Sequence, residues 1–251
     1  MLGVRSLVRK ARQIAAFRHT IPLDRCYHYR GFRYGGFGNN PYEDYILGLA
    51  RGASVETLRH EFANAILTCR PRTFGEFLQL RISEQPPWLF PWTPSHHVVP
   101  PPIVEPAQNP DIVCHSCEQG VLVSHINREF NWLERAYASI RAQGYLPDAH
   151  GYITCIELAG ADESSYLVLD GNHRISALHA SGMREVQIKQ LIGSRVLRSE
   201  ASRWSQVRNG TYSLSDALQV FDRYFARVNP ALAPLHPTRL IVDEVPLWAG
   251  V

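Results

Sequence analysis

Leu167-Val168-Leu169-Asp170-Gly171-Asn172-His173-Arg174-Ile175-Ser176-Ala177-Leu178 is an apolar run of strand type that passes through one glycine straight into a helical pattern. Gly171 lets the backbone turn tightly. The first amides of the helix then point out of the turn with the positive end of the helix dipole behind them, which is an anion site before any side chain is counted. His173 adds a donor that switches near neutral pH, and Arg174 adds a permanent forked cation suited to phosphate oxygens. Gly171, Asn172, His173 and Arg174 are therefore the candidate anion-binding residues.

Outward from this turn, residues 121–198 alternate helix and strand. Phe130, Leu133, Tyr137 and Ile140 mark one face of a helix that Gly144 should end in a left-handed cap. Tyr152–Leu158 and Tyr166–Leu169 have strand character, Ile175–Ala180 is helical and closed by Gly182, and Val186–Ile192 returns as a strand. Residues 42–51, 55–69 and 73–80 show helical spacing, so residues 1–85 are expected to form an N-terminal helical unit. A C-terminal helix is expected over residues 214–228, opened by Ser213 with Asp216 three positions on, and residues 199–251 end in an extended tail. The fold class predicted is α+β, a small mixed-sheet module with helices before and after it.

Nine of the 17 prolines fall between Pro86 and Pro110, where neither a helix interior nor a central strand tolerates them. Trp88, Leu89, Phe90 and Trp92 lie in that stretch, and solvated linkers avoid such side chains. Residues 86–120 are thus read as an extended strap packed over another surface. The loop Cys26-Tyr27-His28-Tyr29-Arg30-Gly31-Phe32-Arg33-Tyr34-Gly35-Gly36-Phe37-Gly38 is read as a structural aromatic-glycine turn, since no GK[ST] follows its glycines.

Asp170-Gly171-Asn172-His173-Arg174, followed by a helix with Ala177, a terminal Gly182 and the strand Glu185–Lys189, resembles the DGxHR motif of the ParB/sulfiredoxin-like fold family. Ser139-Ile140 and Gly144-Tyr145-Leu146-Pro147 are similar to that family's segment before its first strand, so the resemblance covers residues 121–195. It implies nucleotide phosphate binding at Gly171, Asn172, His173 and Arg174, with ATP or another nucleoside triphosphate and Mg²⁺ as the cofactors. Relatives include partition CTPases, sulfiredoxins and free-serine kinases, so the fold leaves the reaction open. Asn172 stands where sulfiredoxins place a reactive cysteine, which argues against that activity. No basic recognition helix follows residue 198, which argues against DNA partitioning and nucleic acid as a partner. Kinases of this fold use an upstream glutamate as base, and Glu129 lies near that place, a residue or more displaced; Glu157 is a second candidate. Asp170 is placed to hold Mg²⁺ or to orient His173. The catalytic candidates are accordingly Asp170, His173 and Glu129, in a phosphotransferase acting on a small hydroxyl compound or glycan precursor. The alternative is a non-catalytic nucleotide-sensing or scaffold protein. The loop at Arg33–Pro41, the Pro86–Trp92 stretch and Trp204-Ser205-Gln206-Val207 are also similar to proteins that accompany bacterial surface-polysaccharide genes.

The formal charge of +3 and pI near 8.6 are too mild for a nucleic-acid binder. Five cysteines without regular spacing describe no disulfide framework and point to a reducing, cytoplasmic setting. Cys114-His115-Ser116-Cys117 is half of a zinc site with no second half, so no protein-held metal is expected. Residues 1–18 carry Arg5, Arg9, Lys10, Arg12 and Arg18 among apolar residues, read as a basic amphipathic helix able to lie weakly on an anionic inner-membrane surface.

Overall fold

The computed structural model describes residues 16–35, 40–68, 74–82, 89–94 and 123–227. Its centre is a five-stranded mixed sheet of β1 (Ala16–Pro22), β2 (Cys26–Tyr27), β3 (Ile153–Ala159), β4 (Ser164–Asp170) and β5 (Glu185–Leu197), in the order β1-β5-β3-β4-β2. β3 runs antiparallel to β4 and parallel to β5, β1 closes one edge antiparallel to β5, and β2 closes the other parallel to β4. The helices are α1 (Pro41–Ala50), α2 (Val55–Thr68), α3 (Phe74–Leu78), α4 (Val123–Gln143), α5 (Pro147–His150), α6 (Asn172–Ala180), α7 (Ser205–Arg208) and α8 (Leu214–Asp222). The fold is α+β.

Alternation along the central strands sends side chains into two cores. Val168, Cys155 and Ile153 point to one face, where they meet Ile175 and Leu178 of α6 and Ile140 of α4. Leu167 and Leu158 point to the other, where they meet Phe221 and Tyr224 from the C-terminal segment, Phe74 and Leu78 of α3, and Phe90. A third cluster joins Tyr45, Ile46, Leu58 and Phe62 of α1 and α2 to Phe130 and Leu133 of α4. Periodicity placed most of these elements well: Gly144 and Gly182 follow α4 and α6 with φ of 76° and 81°, and the Ser213 hydroxyl accepts the Asp216 amide at 3.0 Å to open α8.

Three expectations change. Residues 16–18 are strand, pairing through Ala16–Leu191, Phe17–Gln190 and Arg18–Lys189, so the basic N-terminal helix does not extend over them; residues 1–15 lie outside the described residues. The segment before residue 85 is not purely helical, because β1 and β2 form both edges of the sheet. The last helix is shorter than residues 214–228: α8 stops at Asp222 and tightens into a 3₁₀ turn over Arg223–Phe225. Of the proline-rich strap, residues 89–94 are described, and they pack. The Phe90 and Trp92 rings stack 4.9 Å apart, Trp92 meets Trp204 edge-on at 5.4 Å, and Gln206 fastens the backbone through Thr93 O at 2.7 Å and Pro91 O at 2.9 Å. Residues 89–94 therefore cover part of the sheet face opposite α6. The Cys114–Cys117 pair lies outside the described residues.

Candidate anion site at the start of helix α6

β4 ends at Asp170, and Gly171 turns the chain with φ 98° and ψ 20°. A Cβ built there would stand 2.7 Å from Ile153 Cγ1, so close approach as well as the positive φ demands glycine. Gly171 brings no side-chain oxygen and no side chain caps the first turn of α6, so the N-terminal amides keep the anion-binding character their position confers.

Each predicted residue has a definite place around this turn. The Asn172 side-chain carbonyl accepts the Tyr34 hydroxyl at 2.7 Å. Tyr34 is fully buried, and burial pushes its phenol well up, so it stays a neutral donor. His173 Nε2 lies 2.7 Å from Glu129 Oε2, joining the start of α6 to the middle of α4 across 44 residues of sequence. A carboxylate only accepts, so this contact selects the tautomer with its proton on Nε2 and leaves Nδ1 as the other functional atom of the ring. Asp170 and Arg174 pair at 3.1 Å across one helical turn. The other guanidinium nitrogen of Arg174 donates to His150 O at 3.2 Å and to Gly151 O. Arg174 is thus a clamp between the turn that enters β3 and the turn that enters α6, while the carboxylate of Asp170 is 75% exposed.

The structure separates Glu157 from this group. Thr154 pairs with Asp170, but Glu157 pairs with Tyr166, roughly 10 Å further along the strand. There it takes hydrogen bonds from Ser164 at 2.8 Å and Gln190 at 3.0 Å and an ion pair from Arg195 at 3.3 Å.

Five residues of the site carried no signal in sequence. Tyr34 is one; the others are Tyr42, His28, Arg30 and Trp132. The Tyr42 ring meets His173 edge-on at 6.2 Å, and His28 packs 5.0 Å from Tyr42 and 4.0 Å from Tyr29. Burial, helped by the nearby Arg30 and His173, holds His28 well below its ordinary pKa, so it is a neutral ring whose Nδ1 accepts the Arg30 amide at 3.2 Å. Burial likewise pushes the Tyr29 phenol up to about 12 and the Tyr42 phenol well up; Glu129 adds to both shifts and the buried Arg30 opposes them. The wall behind His173 is therefore neutral and aromatic, with one carboxylate and one guanidinium set in it. The one weak cue was the density of Tyr, His and Arg in residues 27–34, which spacing alone does not connect to residue 173.

Gly35 has a structural task. Its amide donates to Glu43 Oε1 at 2.8 Å, and the same oxygen lies 2.9 Å from His179 Nδ1 at the far end of α6. Among the described residues no group of three or more His, Cys, Asp or Glu side chains is arranged to hold a metal ion, and no helix is long and apolar enough to cross a membrane.

No protein-family model, curated protein or solved structure matches this chain.

Proposed function

We propose that the chain is a nucleoside-triphosphate-dependent phosphotransferase, with phosphate held over the Gly171 turn by the backbone amides of Asn172, His173 and Arg174, acting on a small hydroxyl compound or glycan precursor in the cytoplasm. The observation that carries this reading is the Glu129–His173 contact at the uncapped start of α6. An acid–base pair at a prepared anion site is what transfer of phosphate to a hydroxyl requires. The resemblance of residues 170–174 to the DGxHR motif supports the same ligand class.

In this reading Glu129 holds His173 through Nε2, and Nδ1 takes the proton of the acceptor hydroxyl as its oxygen bonds to the terminal phosphorus. The bond from that phosphorus to the bridging oxygen breaks, and the nucleoside diphosphate leaves. The α6 amides stabilise the phosphate charge without reorganising. Mg²⁺ commonly takes one or two carboxylates and completes its shell with phosphate and water oxygens; the exposed Asp170 carboxylate fits that role, and the ion would neutralise charge on the transferred group. Arg174, with its fork spent on His150, Gly151 and Asp170, acts chiefly as a positioning residue.

That clamp also favours a second reading. A ligand that competes for Asp170 would loosen the hold of Arg174 on the turn before β3, which suits a nucleotide sensor without turnover. A thermal-shift screen of nucleoside triphosphates with and without Mg²⁺ tests the binding that both readings require, because a bound ligand stabilises by its affinity alone, and an assay of phosphate transfer to hydroxyl acceptors then separates them. We expect stabilisation by at least one triphosphate, and Glu129→Gln to cut phosphate transfer roughly 10²- to 10⁴-fold with binding retained. Stabilisation without transfer to any hydroxyl acceptor would favour the sensor. No stabilisation by any triphosphate would refute both.

A further inference from the structure

Trp132 lies one turn after Glu129 on α4, so the two side chains leave adjacent positions on one helix face. The buried face of α4 is made by Phe130, Leu133 and Ile140, and Trp132 is not part of it: 45% of its surface is exposed. Its ring lies 5.4 Å from the His173 imidazole at an interplanar angle of 53°. A large indole is thus left in water beside the histidine of the anion site.

We infer that Trp132 is the stacking platform for the nucleobase of the ligand whose phosphates sit at residues 171–174; the inference rests on the phosphate reading above. Two features point to a flat aromatic ligand: the indole is 45% exposed, and it adjoins His173 and not a distant part of the surface. A base needs only a π-face to stack, so this contact supplies affinity common to all bases and no discrimination between them.

The test uses the full chain and calorimetry with five probes: ATP, CTP, AMP, ribose 5-phosphate and inorganic tripolyphosphate. Trp132→Ala is expected to weaken ATP, CTP and AMP by a similar factor, roughly 5- to 100-fold. Tripolyphosphate and ribose 5-phosphate should change less than twofold, and Trp132→Phe should retain most of the nucleotide affinity. An unchanged denaturation midpoint establishes that the variants are folded. Equal weakening of tripolyphosphate would mean that Trp132 acts through His173, and equal weakening of ribose 5-phosphate would assign the indole to the sugar; either result overturns the proposal. Nucleotides that bind the wild type no more tightly than tripolyphosphate overturn it while leaving the phosphate site standing. Failure of all five probes to bind would overturn the phosphate reading as well.

Discussion

Replacing Gly171 by alanine tests the geometry on which the anion site depends, and a second glycine provides the control. Gly171 and Gly182 bracket α6, both with positive φ, 98° and 81°. At Gly182 an added Cβ meets nothing within 4 Å. Its substitution therefore costs only the left-handed backbone, about 1–2 kcal/mol. At Gly171 the same Cβ would lie 2.7 Å from Ile153 Cγ1, 3.1 Å from an Arg174 guanidinium nitrogen and 3.3 Å from Ile153 Cα. The Arg174 end can give way only by loosening its own hydrogen bonds, and Ile153 is fully buried in β3. Overpacking of this kind adds about 1–3 kcal/mol, so Gly171→Ala should cost about 2–5 kcal/mol in all. Denaturant unfolding of both variants at matched conditions gives the two losses from the midpoints, provided the slope is unchanged. The expected thermal shift is roughly 4–20 °C for Gly171→Ala and roughly 2–8 °C for Gly182→Ala. Relief of the contact must also push the α6 amides away from the turn, so tripolyphosphate affinity should fall in the first variant and not in the second. Equal losses of stability at the two glycines would refute the close packing of the turn on β3.

The pair of buried Glu43 and half-buried His179 makes stability depend on pH. The hydrogen bond to Glu43 raises the His179 pKa, and burial raises that of Glu43, so this pair binds more protons in the folded chain than in the unfolded one. The contribution of His179 is complete below its ordinary value near 6.5 and disappears as pH rises through the raised value. A denaturation series from pH 6 to 9 should show this decline, and His179→Gln should flatten it; an identical slope in that variant would exclude the pair as its source. On the opposite sheet face, Phe90 is buried against Phe74 at 5.3 Å and Tyr224 at 5.9 Å. Phe90→Ala should cost about 3–5 kcal/mol by equilibrium unfolding, whereas a loss below about 1 kcal/mol would show that the strap is separable from the core.

The parts of this protein that sequence made legible are those governed by neighbours in the chain. The β4–Gly171–α6 unit, the glycine ends of α4 and α6 and the Ser213 cap all follow from periodicity and local hydrogen bonding. His173 follows from residue type at that turn, whereas Glu129 and Asp170 enter as catalytic candidates through the resemblance to kinases of the ParB/sulfiredoxin-like fold. Where sequence misread the chain, the deciding contact was remote. Ala16–Pro22 takes up strand geometry because β5, about 170 residues later, offers an open edge. The aromatic loop before α1 reaches the anion site only because Tyr34 bonds to Asn172 across 138 residues. Arg174 illustrates the limit most sharply. Its residue type promised a free phosphate ligand, but the carbonyls of His150 and Gly151 and the carboxylate of Asp170 already take its donors.

By itself, then, the sequence determined the turn, the helix it opens and the chemical types gathered there, because the backbone angle of glycine and the spacing of apolar residues act over a few positions. Only the tertiary structure decided which of those groups face one another. The 2.7 Å contact between Glu129 and His173 depends on how α4 and α6 pack over the sheet, and packing geometry is set by the volumes of buried side chains far apart in the chain.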